Sequence, residues 1–447
     1  MKPRARRETG QADLFKARLD QIIDLGHELV LLALAIDWAY LERAFGAAYT
    51  DAPGQPPLPV RLMAGLAILK YMYNLSDEEL ARRWVESPYF QYFCGEEFFR
   101  HNAPFERSSM SRWRQRMGEE QLTALIQESL AVAVKTKAMQ LGDLTQAVVD
   151  TTVQEKAVTF PTDAKLSHRA RERLVRLAKR HGVRLRQSYA RVGKFALIKH
   201  QRYAHARQFK RANRSLRTLK TYLGRVLRDI ERAIAREPRL NIFFRKELYL
   251  AGRVLTQKRG DRGRKVYSLH APEVECIGKG KAHRPYEFGV KVSVATTLQR
   301  SPGGQFVLHA KALPGNPYDG HTLGSIIPAI EQTTGATLSR ILADAGYRGH
   351  NAPATHKMRV YTQGQKRGVT PDIKKIMRRR AAVEPVIGHM KQEHRMGRNY
   401  LAFARGDAIN AVLAAAGYNF RRVLAWLRLL LACIACTLGA RKLPQLV

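Results

Sequence analysis

Three acidic residues occupy positions where carboxylates could do chemistry: Asp150, Asp344 and Glu384. Asp150 lies inside an apolar run and Asp344 ends another, and burying an acid costs free energy unless a cation offsets it. Acids at the ends of neighbouring strands of an α/β sheet converge on the crevice where ligands bind. Two converging carboxylates repel each other unless hard cations such as Mg²⁺ bind between them. The pattern therefore predicts a two-metal phosphoryl-transfer site, where one ion activates the attacking oxygen and the other stabilises the leaving oxygen.

Glu384 lies in a segment predicted to form one long helix, over about 372–395. At about 100° per residue, Arg380, Glu384 and Lys391 fall within a narrow arc that borders the apolar face of this helix. Glu384 can then point at the sheet edge with a cation on either side, which suits contact with DNA phosphates. The alternative is an ordinary intrahelical ion pair between Arg380 and Glu384, four residues apart.

Other acids and a histidine have simpler explanations. Asp319 precedes Gly320 and His321 and is interpreted as a turn or helix N-cap residue. His321 could approach the site, but a lone histidine is more often structural. Glu393 faces away from Glu384 on the same helix. Asp150 or Asp344 taken alone would also be read as a capping or turn residue.

The elements that must position these acids are predicted from residue composition and from the order of strands and helices. Short runs rich in Val, Ala and Thr predict strands, and a glycine-containing turn at 302–304 predicts a hairpin. The predicted strands cover residues 145–153, 289–296, 305–310, 339–344 and 358–361. With a helix over about 321–332, the order β, helical block, β, β, α, β, β, α predicts a mixed α/β layer fold with an insertion after its first strand.

The N-terminal part, from about 14 to 130, has helical periodicity. Ser76, with Glu79 three residues on, predicts a helix start closed by a capping box. A later basic helix carries Arg112, Arg114 and Arg116, and the short helices before it fit a helix-turn-helix-like unit that contacts DNA. A helical dimerisation or packing module is the alternative.

Charge indicates the partner class. The chain has 77 Lys and Arg against 38 Asp and Glu, a formal net charge of +39, with 45% hydrophobic residues. A folded protein that binds a polyanion is therefore expected.

The positive charge is concentrated in one block: between residues 165 and 239 there are 24 Lys and Arg and 4 Asp and Glu. The arginines of this mainly helical block are predicted to contact phosphates, and its aromatic rings to form the packing face of a helical hairpin rather than to stack on bases. These rings are Tyr189, Phe195, Tyr203, Phe209 and Tyr222.

Four scattered cysteines are typical of a reducing compartment. Cys433 and Cys436 form a CxxC in an apolar helix, which predicts core packing rather than a metal half-site. The chain opens on polar sequence rather than a signal peptide, and its most apolar C-terminal stretch is too short to span a bilayer. A soluble, cytoplasmic protein without a membrane partner is expected.

Together these fragments resemble the DDE-type bacterial insertion-sequence transposases. The motif that carries the third acid in one large group of them is Tyr-x2-Arg-x3-Glu-x6-Lys, and here Met377 replaces the tyrosine, which removes an expected contact to the DNA backbone. The resemblance rests on Asp150, Asp344-Ala-Gly-Tyr-Arg348-Gly, Arg380-x3-Glu384-x6-Lys391, the helical region 58–117, and segments 315–321 and 417–422.

The resemblance implies an RNase H-like mixed-sheet catalytic core with two Mg²⁺ or Mn²⁺ ions held by the three acids. It implies double-stranded DNA as substrate, both terminal inverted repeats and target, a homodimer in the DNA complex, and association with the nucleoid. The residues expected to contact DNA are Arg380, Lys391, Arg348, Arg112, Arg114 and Arg116. The expected domains are a helical DNA-binding or dimerisation domain (1–140), a catalytic domain (141–400) interrupted by a basic helical insertion (156–285), and a C-terminal helical segment (401–447).

Three other functions compete with transposition. An RNase H-like nuclease would cut DNA without joining it. A non-catalytic DNA-binding regulator derived from a transposase would retain the fold, and Met377 is the feature that favours it. An RNA-binding, ribosome-associated protein would explain the charge but not the acids in strands.

Overall fold

The computed structural model describes residues 18–49, 57–258, 260–261, 263, 265–278 and 285–440. The chain folds as two compact units, one formed by residues 1–155 and 291–447 (the first unit) and the other by residues 156–290 (the second unit). Among the described residues, no helix is both long and apolar enough to cross a membrane.

The first unit begins with helices, which were predicted from periodicity. The Ser76 hydroxyl accepts a hydrogen bond of 3.0 Å from the backbone N–H of Glu79, so the predicted N-cap is confirmed. The Glu79 carboxylate pairs with Arg82 and Arg83. The helices are α1 (Leu19–Ile22), α2 (Glu28–Ala35), α3 (Trp38–Gly46), α4 (Val60–Met72), α5 (Asp77–Glu86), α6 (Pro88–Phe93), α7 (Arg107–Arg116) and α8 (Glu119–Lys135).

The second unit is mainly helical and has its own apolar core. Its helices are α9 (Asp163–Arg180), α10 (Ala190–His205), α11 (Phe209–Arg236) and α12 (Asn241–Thr256). Leu174, Leu223 and Val254 lie in the buried cluster that joins α9, α11 and α12. Burial of these side chains offsets the conformational entropy lost on folding.

The predicted packing role of the aromatic rings in this unit is partly wrong. Tyr189 and Tyr222 stack on each other with ring centroids 4.5 Å apart. Phe195 and Phe209, however, are exposed by 54% and 63%. The buried positions of α10 are Gly193 and Ala196, so that helix packs through small residues and its phenylalanine falls outside the contact.

A mixed sheet forms the centre of the first unit. Its strands lie in the order β4-β3-β1-β5-β6, in which β3 and β4 are antiparallel while β1, β5 and β6 are parallel. This topology confirms the predicted RNase H-like mixed α/β core. The short β2, in the second unit, was not predicted and pairs with the first residues of β3. The strands are β1 (Gln146–Glu155), β2 (Glu275–Gly278), β3 (Tyr286–Thr297), β4 (Val307–Leu313), β5 (Arg340–Ala343) and β6 (Val360–Thr362).

The last helices of the first unit are α13 (Leu323–Thr334), α14 (Pro371–Met377), α15 (Val383–Glu393) and α16 (Phe403–Ala440). The prediction of one helix over 372–395 is wrong, because a 3₁₀ segment, Arg378–Ala382, separates α14 from α15. Pro385 explains the break. It has no N–H to donate to the carbonyl of residue 381, and its ring crowds that carbonyl.

Helix α16 packs against α4, α8 and β4 and anchors the sheet. The Asn419 amide accepts a hydrogen bond from the N–H of Val307 and donates one to its C=O, both of 2.8 Å, so this side chain closes the edge of β4 like a further strand residue. Further along α16, Cys433 and Cys436 are exposed. Their predicted burial is therefore wrong, because the described end of this helix has few buried positions.

Candidate active site

The register of the sheet brings the first two acids together. β1 and β5 are parallel, and Val149 is paired with Ala343. Asp150 is the next residue of β1, and Asp344 directly follows the last residue of β5. Two side chains at equivalent positions of neighbouring strands lie about 5 Å apart at their roots. The pairing thus places two carboxylates side by side at one edge of the crevice.

Strand β1 is held in place by polar contacts beyond Asp150. The Gln154 amide donates to the carbonyl of Asp407 at 2.9 Å and accepts from Asn410, also at 2.9 Å. Asn410 in turn accepts a 2.8 Å hydrogen bond from the Tyr71 hydroxyl. All of these groups are buried, where unsatisfied polar atoms are costly, so the network fixes the strand that carries Asp150.

The third acid, Glu384, lies in the first turn of α15, directly after the 3₁₀ segment that carries Arg380. The Arg379 guanidinium donates to the carbonyl of Leu298 at 3.1 Å, which ties this segment to the end of β3. Met377 packs against the apolar cluster that contains Val148 and Leu342, beneath the strands of the two aspartates. A thioether at this position fills core space, whereas the tyrosine of the family motif would bring a hydroxyl.

Arg380 contacts all three predicted acids. Its guanidinium nitrogens lie 3.8 Å from Asp150 Oδ2, 3.6 Å from Asp344 Oδ1 and 3.3 Å from Glu384 Oε1. The Arg380 side chain is 14% exposed, whereas Asp344 and Glu384 are 43% and 62% exposed. The predicted i, i+4 ion pair is therefore present, and it belongs to a wider cluster. Residues up to 234 positions apart in sequence meet around one cation.

The surroundings of Asp150 shift the pKa of its carboxyl group. Burial raises the pKa of Asp150 to about 6, because desolvation disfavours the charged form. The backbone N–H of Thr151 donates to Asp150 Oδ1 at 2.7 Å, and this bond and the Arg380 charge lower the pKa. The nearby carboxylates of Asp344 and Asp319 raise it. Burial, together with these negative charges, also raises the pKa of Tyr347 well above its usual value.

Asp319 and Lys291 are parts of the site that sequence reasoning missed. The Asp319 backbone begins a short 3₁₀ turn, as its interpretation as a turn residue required. Its carboxylate, however, accepts hydrogen bonds from Lys291 Nζ at 2.9 Å and from Thr151 Oγ1 at 3.0 Å. A fourth acid thus lies beside Asp150, with its own cation. No local signal distinguishes Lys291 from the other polar residues of β3.

The other predicted DNA contacts of this region flank the acids. Lys391 lies about two turns after Glu384 on α15. Arg348 is exposed just after the buried Tyr347, and its carbonyl accepts a hydrogen bond from the Tyr318 hydroxyl at 3.0 Å. His321 has its ring edge-on to that of Tyr318.

The three arginines of α7 have different environments. Arg112 and Arg116 are exposed, and the Arg116 guanidinium lies over the Tyr49 ring at 4.9 Å from its centroid. Arg114 is 4% exposed and donates to both carboxylate oxygens of Asp77, at 3.2 and 2.8 Å. The predicted DNA contact of Arg114 is therefore wrong, because this arginine makes a bidentate ion pair between α5 and α7.

The donor set suits a hard divalent cation. Carboxylate oxygens are the ligands that Mg²⁺ and Mn²⁺ prefer. Among the described residues, no three His, Cys, Asp or Glu side chains are gathered closely enough to form a finished metal site. The Arg380 guanidinium contacts all three acids and provides the positive charge there. The acids therefore fit the ions by chemistry, provided that Arg380 moves away from them.

Comparisons with known proteins find two transposase domains in this chain. Residues 17–116 match the family described as transposase domain (DUF772), and residues 259–420 match the family described as transposase DDE domain. The second match contains Asp344 and Glu384 but begins after Asp150. The chain is also similar to a protein named uncharacterized protein ORF8 in nfe locus, from Rhizobium meliloti. The two are 48% identical over 209 residues, which are 47% of this chain and 100% of that protein. No solved structure matches the chain.

Proposed function

The chain belongs to the DDE-type insertion-sequence transposases, and from this premise we propose that it binds the terminal inverted repeats of its element, cleaves DNA there and joins the freed ends to target DNA. The observation that carries the proposal is the convergence of Asp150, Asp344 and Glu384 on Arg380. Acids this far apart in sequence rarely meet by chance at one edge of a sheet, where α/β folds bind ligands.

The three acids are the proposed metal ligands. Two divalent ions, Mg²⁺ or Mn²⁺, would activate the attacking oxygen and stabilise the leaving oxygen of the phosphodiester. Asp150 must be ionised to serve as a ligand, and a pKa of about 6 leaves it mostly ionised at neutral pH. Asp319, which accepts a hydrogen bond from Lys291, also accepts one from the Thr151 hydroxyl, and the Thr151 backbone N–H donates to Asp150; we propose that this chain of contacts orients the Asp150 carboxylate.

The cations around the acids are proposed to grip DNA. In the protein alone, Arg380 pairs with the three acids. In the DNA complex, its guanidinium would instead bind a phosphate, because its planar set of N–H donors matches phosphate oxygens as well as carboxylate oxygens. Lys391 and Arg348 would contact flanking phosphates. Arg112 and Arg116 would do so from the N-terminal helices. A homodimer is proposed for the DNA complex.

A cleavage assay tests the acids. Purified protein and DNA carrying the flanks of its own gene would be incubated with Mg²⁺, with Mn²⁺ or with chelator. Asp150→Asn and Glu384→Gln should each lower cleavage on the order of 10³-fold or more, while binding to the same DNA persists. Glu393→Gln is the matched control, because Glu393 is also an exposed acid of α15 and pairs with His389. Metal-dependent cleavage that survives Asp150→Asn would remove this residue from the site.

The same preparation separates the competing functions. Precut ends that carry a 3′-hydroxyl should be joined to a target plasmid, and cutting without joining would identify a nuclease instead. A non-catalytic DNA-binding regulator has one structural observation in its favour, the contact of Arg380 with all three acids. It would bind the flanks and neither nick nor join them at any concentration of either ion.

A further inference from the structure

Helix α11 in the second unit has two opposite faces. Leu219, Leu223, Val226 and Ile230 are buried on one of them. At about 100° per residue, five exposed cations fall within an arc of about 80° on the opposite side. These cations, the basic face, are Lys210, Arg214, Arg217, Arg225 and Arg228. The packed face holds the helix rigidly, so the basic face is presented to solvent along its length.

Acids are absent from the sequence around this face. Residues 173–228 contain 18 Lys and Arg and no Asp or Glu. The exposed side of a long helix normally carries both signs of charge, because Glu and Lys four residues apart stabilise it and like charges destabilise it. In the described part of the chain, no carboxylate pairs with any of the five cations, whereas Arg232, near the helix end, pairs with Asp229. The basic face therefore lacks the acids of an ordinary solvated surface.

The dimensions of the basic face fit a nucleic-acid backbone. From Lys210 to Arg228 the helix rises about 27 Å at 1.5 Å per residue, which corresponds to about eight base pairs of duplex. Four of its five cations are arginines, whose planar guanidinium groups bind phosphate with two parallel hydrogen bonds. Apart from Thr221, the exposed side chains on this arc are cations, which contact phosphates but carry little information about bases.

We propose that the basic face of α11 binds the phosphate backbone of double-stranded DNA without reading its sequence. The proposal rests on the proposed function, because that function makes DNA the partner. It deepens that function by assigning to the second unit a grip on DNA that is separate from the three acids. Affinity from this surface depends on release of counterions from DNA, so it must fall steeply with salt.

The test compares two triple variants with equal loss of charge. One is Arg214→Gln/Arg217→Gln/Arg225→Gln, on the basic face. The control is Lys179→Gln/Arg239→Gln/Arg245→Gln, which removes exposed cations of the second unit that lie outside α11. Both are made in the full chain with Asp150→Asn, so that binding is measured without cleavage. The probe is a labelled 30-base-pair duplex of random sequence, titrated between 50 and 300 mM NaCl.

Each lost phosphate contact should reduce the slope of log affinity against log salt by about 0.9. The basic-face variant should therefore lose about 2.7 from the slope, and on the order of 10²-fold in affinity at 0.1 M NaCl. The control should lose less than about one unit of slope. An Arg→Lys triple at the same three positions keeps the charge and should restore the slope, which separates lost contacts from misfolding.

Two results would overturn the proposal. In one, the basic-face variant and the control show equal slopes. In the other, the variant loses affinity for a duplex RNA probe and keeps its affinity for DNA, which would make RNA the partner. Neither result depends on cleavage, so a failure of the proposed catalytic function is seen in the cleavage assay and not here.

Discussion

Asp150 should destabilise the fold that it serves. A carboxylate whose pKa is raised by burial is harder to ionise in the folded protein than in the unfolded chain. At neutral pH the acid is ionised in both states, so the folded state bears the cost of a buried charge. Asp150→Asn removes the charge and keeps an oxygen that can accept the 2.7 Å hydrogen bond from Thr151. We therefore expect this variant to be more stable than the parent.

The size of the effect follows from the two pKa values. The pKa of Asp150 is about 6 in the folded protein, against an ordinary value of 3.8. At 1.36 kcal/mol for each pH unit of difference, the cost is about 3 kcal/mol. It is present in full well above pH 6, it shrinks as the pH falls through about 6, and it is nearly gone at about 3.8, below which the acid is protonated in both states. The advantage of Asp150→Asn should therefore be about 3 kcal/mol at pH 7 and about half of that at pH 5.

Urea unfolding monitored by tryptophan fluorescence measures this difference. The chain has four tryptophans, Trp38, Trp84, Trp113 and Trp426, and all lie in the first unit, so the signal reports the unit that carries Asp150. Asp344→Asn is the matched control. Because the Asp344 side chain is 43% exposed, neutralising it should change the free energy of unfolding by less than about 1 kcal/mol. Lower stability of Asp150→Asn at pH 7, or a gain in stability that does not shrink toward acid pH, would show that Asp150 is not a costly buried charge.

The remaining predictions concern the cations and acids around this group. Arg380→Gln should tighten Mn²⁺ binding at pH 8 about 10-fold, because it removes a positive charge within 4 Å of all three acids. Water-proton relaxation measures the binding, and weaker binding by the variant would contradict the role of Arg380 as a counter-ion. Asp319→Asn removes a negative charge that raises the pKa of Asp150, so the pH midpoint of Mn²⁺ binding should move to lower pH, and a move to higher pH would count against the assigned cluster. Arg114→Gln should cost about 3 kcal/mol of stability by breaking the buried pair with Asp77, whereas Arg112→Gln should cost less than about 0.5 kcal/mol and should instead weaken DNA binding.

Arg380 links folding to the proposed chemistry. In the protein alone, the carboxylates of Asp150, Asp344 and Glu384 all lie within 4 Å of the Arg380 guanidinium, whose positive charge offsets the repulsion between them. A divalent ion carries a larger charge than arginine and, at the proposed metal site, would compete for the same oxygens. Departure of Arg380 would clear the proposed metal site and free a guanidinium that can bind a phosphate. The two events are therefore expected to occur together when DNA and metal bind.

Residue types and order in the sequence were enough to predict several features. Short runs rich in Val, Ala and Thr predicted the strand that carries Asp150 and the strand that ends next to Asp344, because the residue composition of a segment is local. The order of strands and helices predicted the mixed α/β core. The Ser76 N-cap was local as well. Motif resemblance indicated the family, which the matches to transposase domains confirm.

Tertiary structure decided what depends on distant partners. Pro385, which explains the 3₁₀ segment inside the predicted helix, is a local signal that the sequence contains. The burial of Arg114, in contrast, depends on its ion pair with Asp77, 37 residues away. The pairing of Val149 with Ala343 brings Asp150 and Asp344 together, and Arg380 reaches both from a distant segment of the chain. Lys291 pairs with Asp319, the fourth acid, from β3, which is the neighbour of β1 in the sheet. Charge composition is fixed by sequence, but whether a given cation meets a carboxylate or solvent is fixed by packing, because Coulomb energies depend on distance and burial in the folded chain.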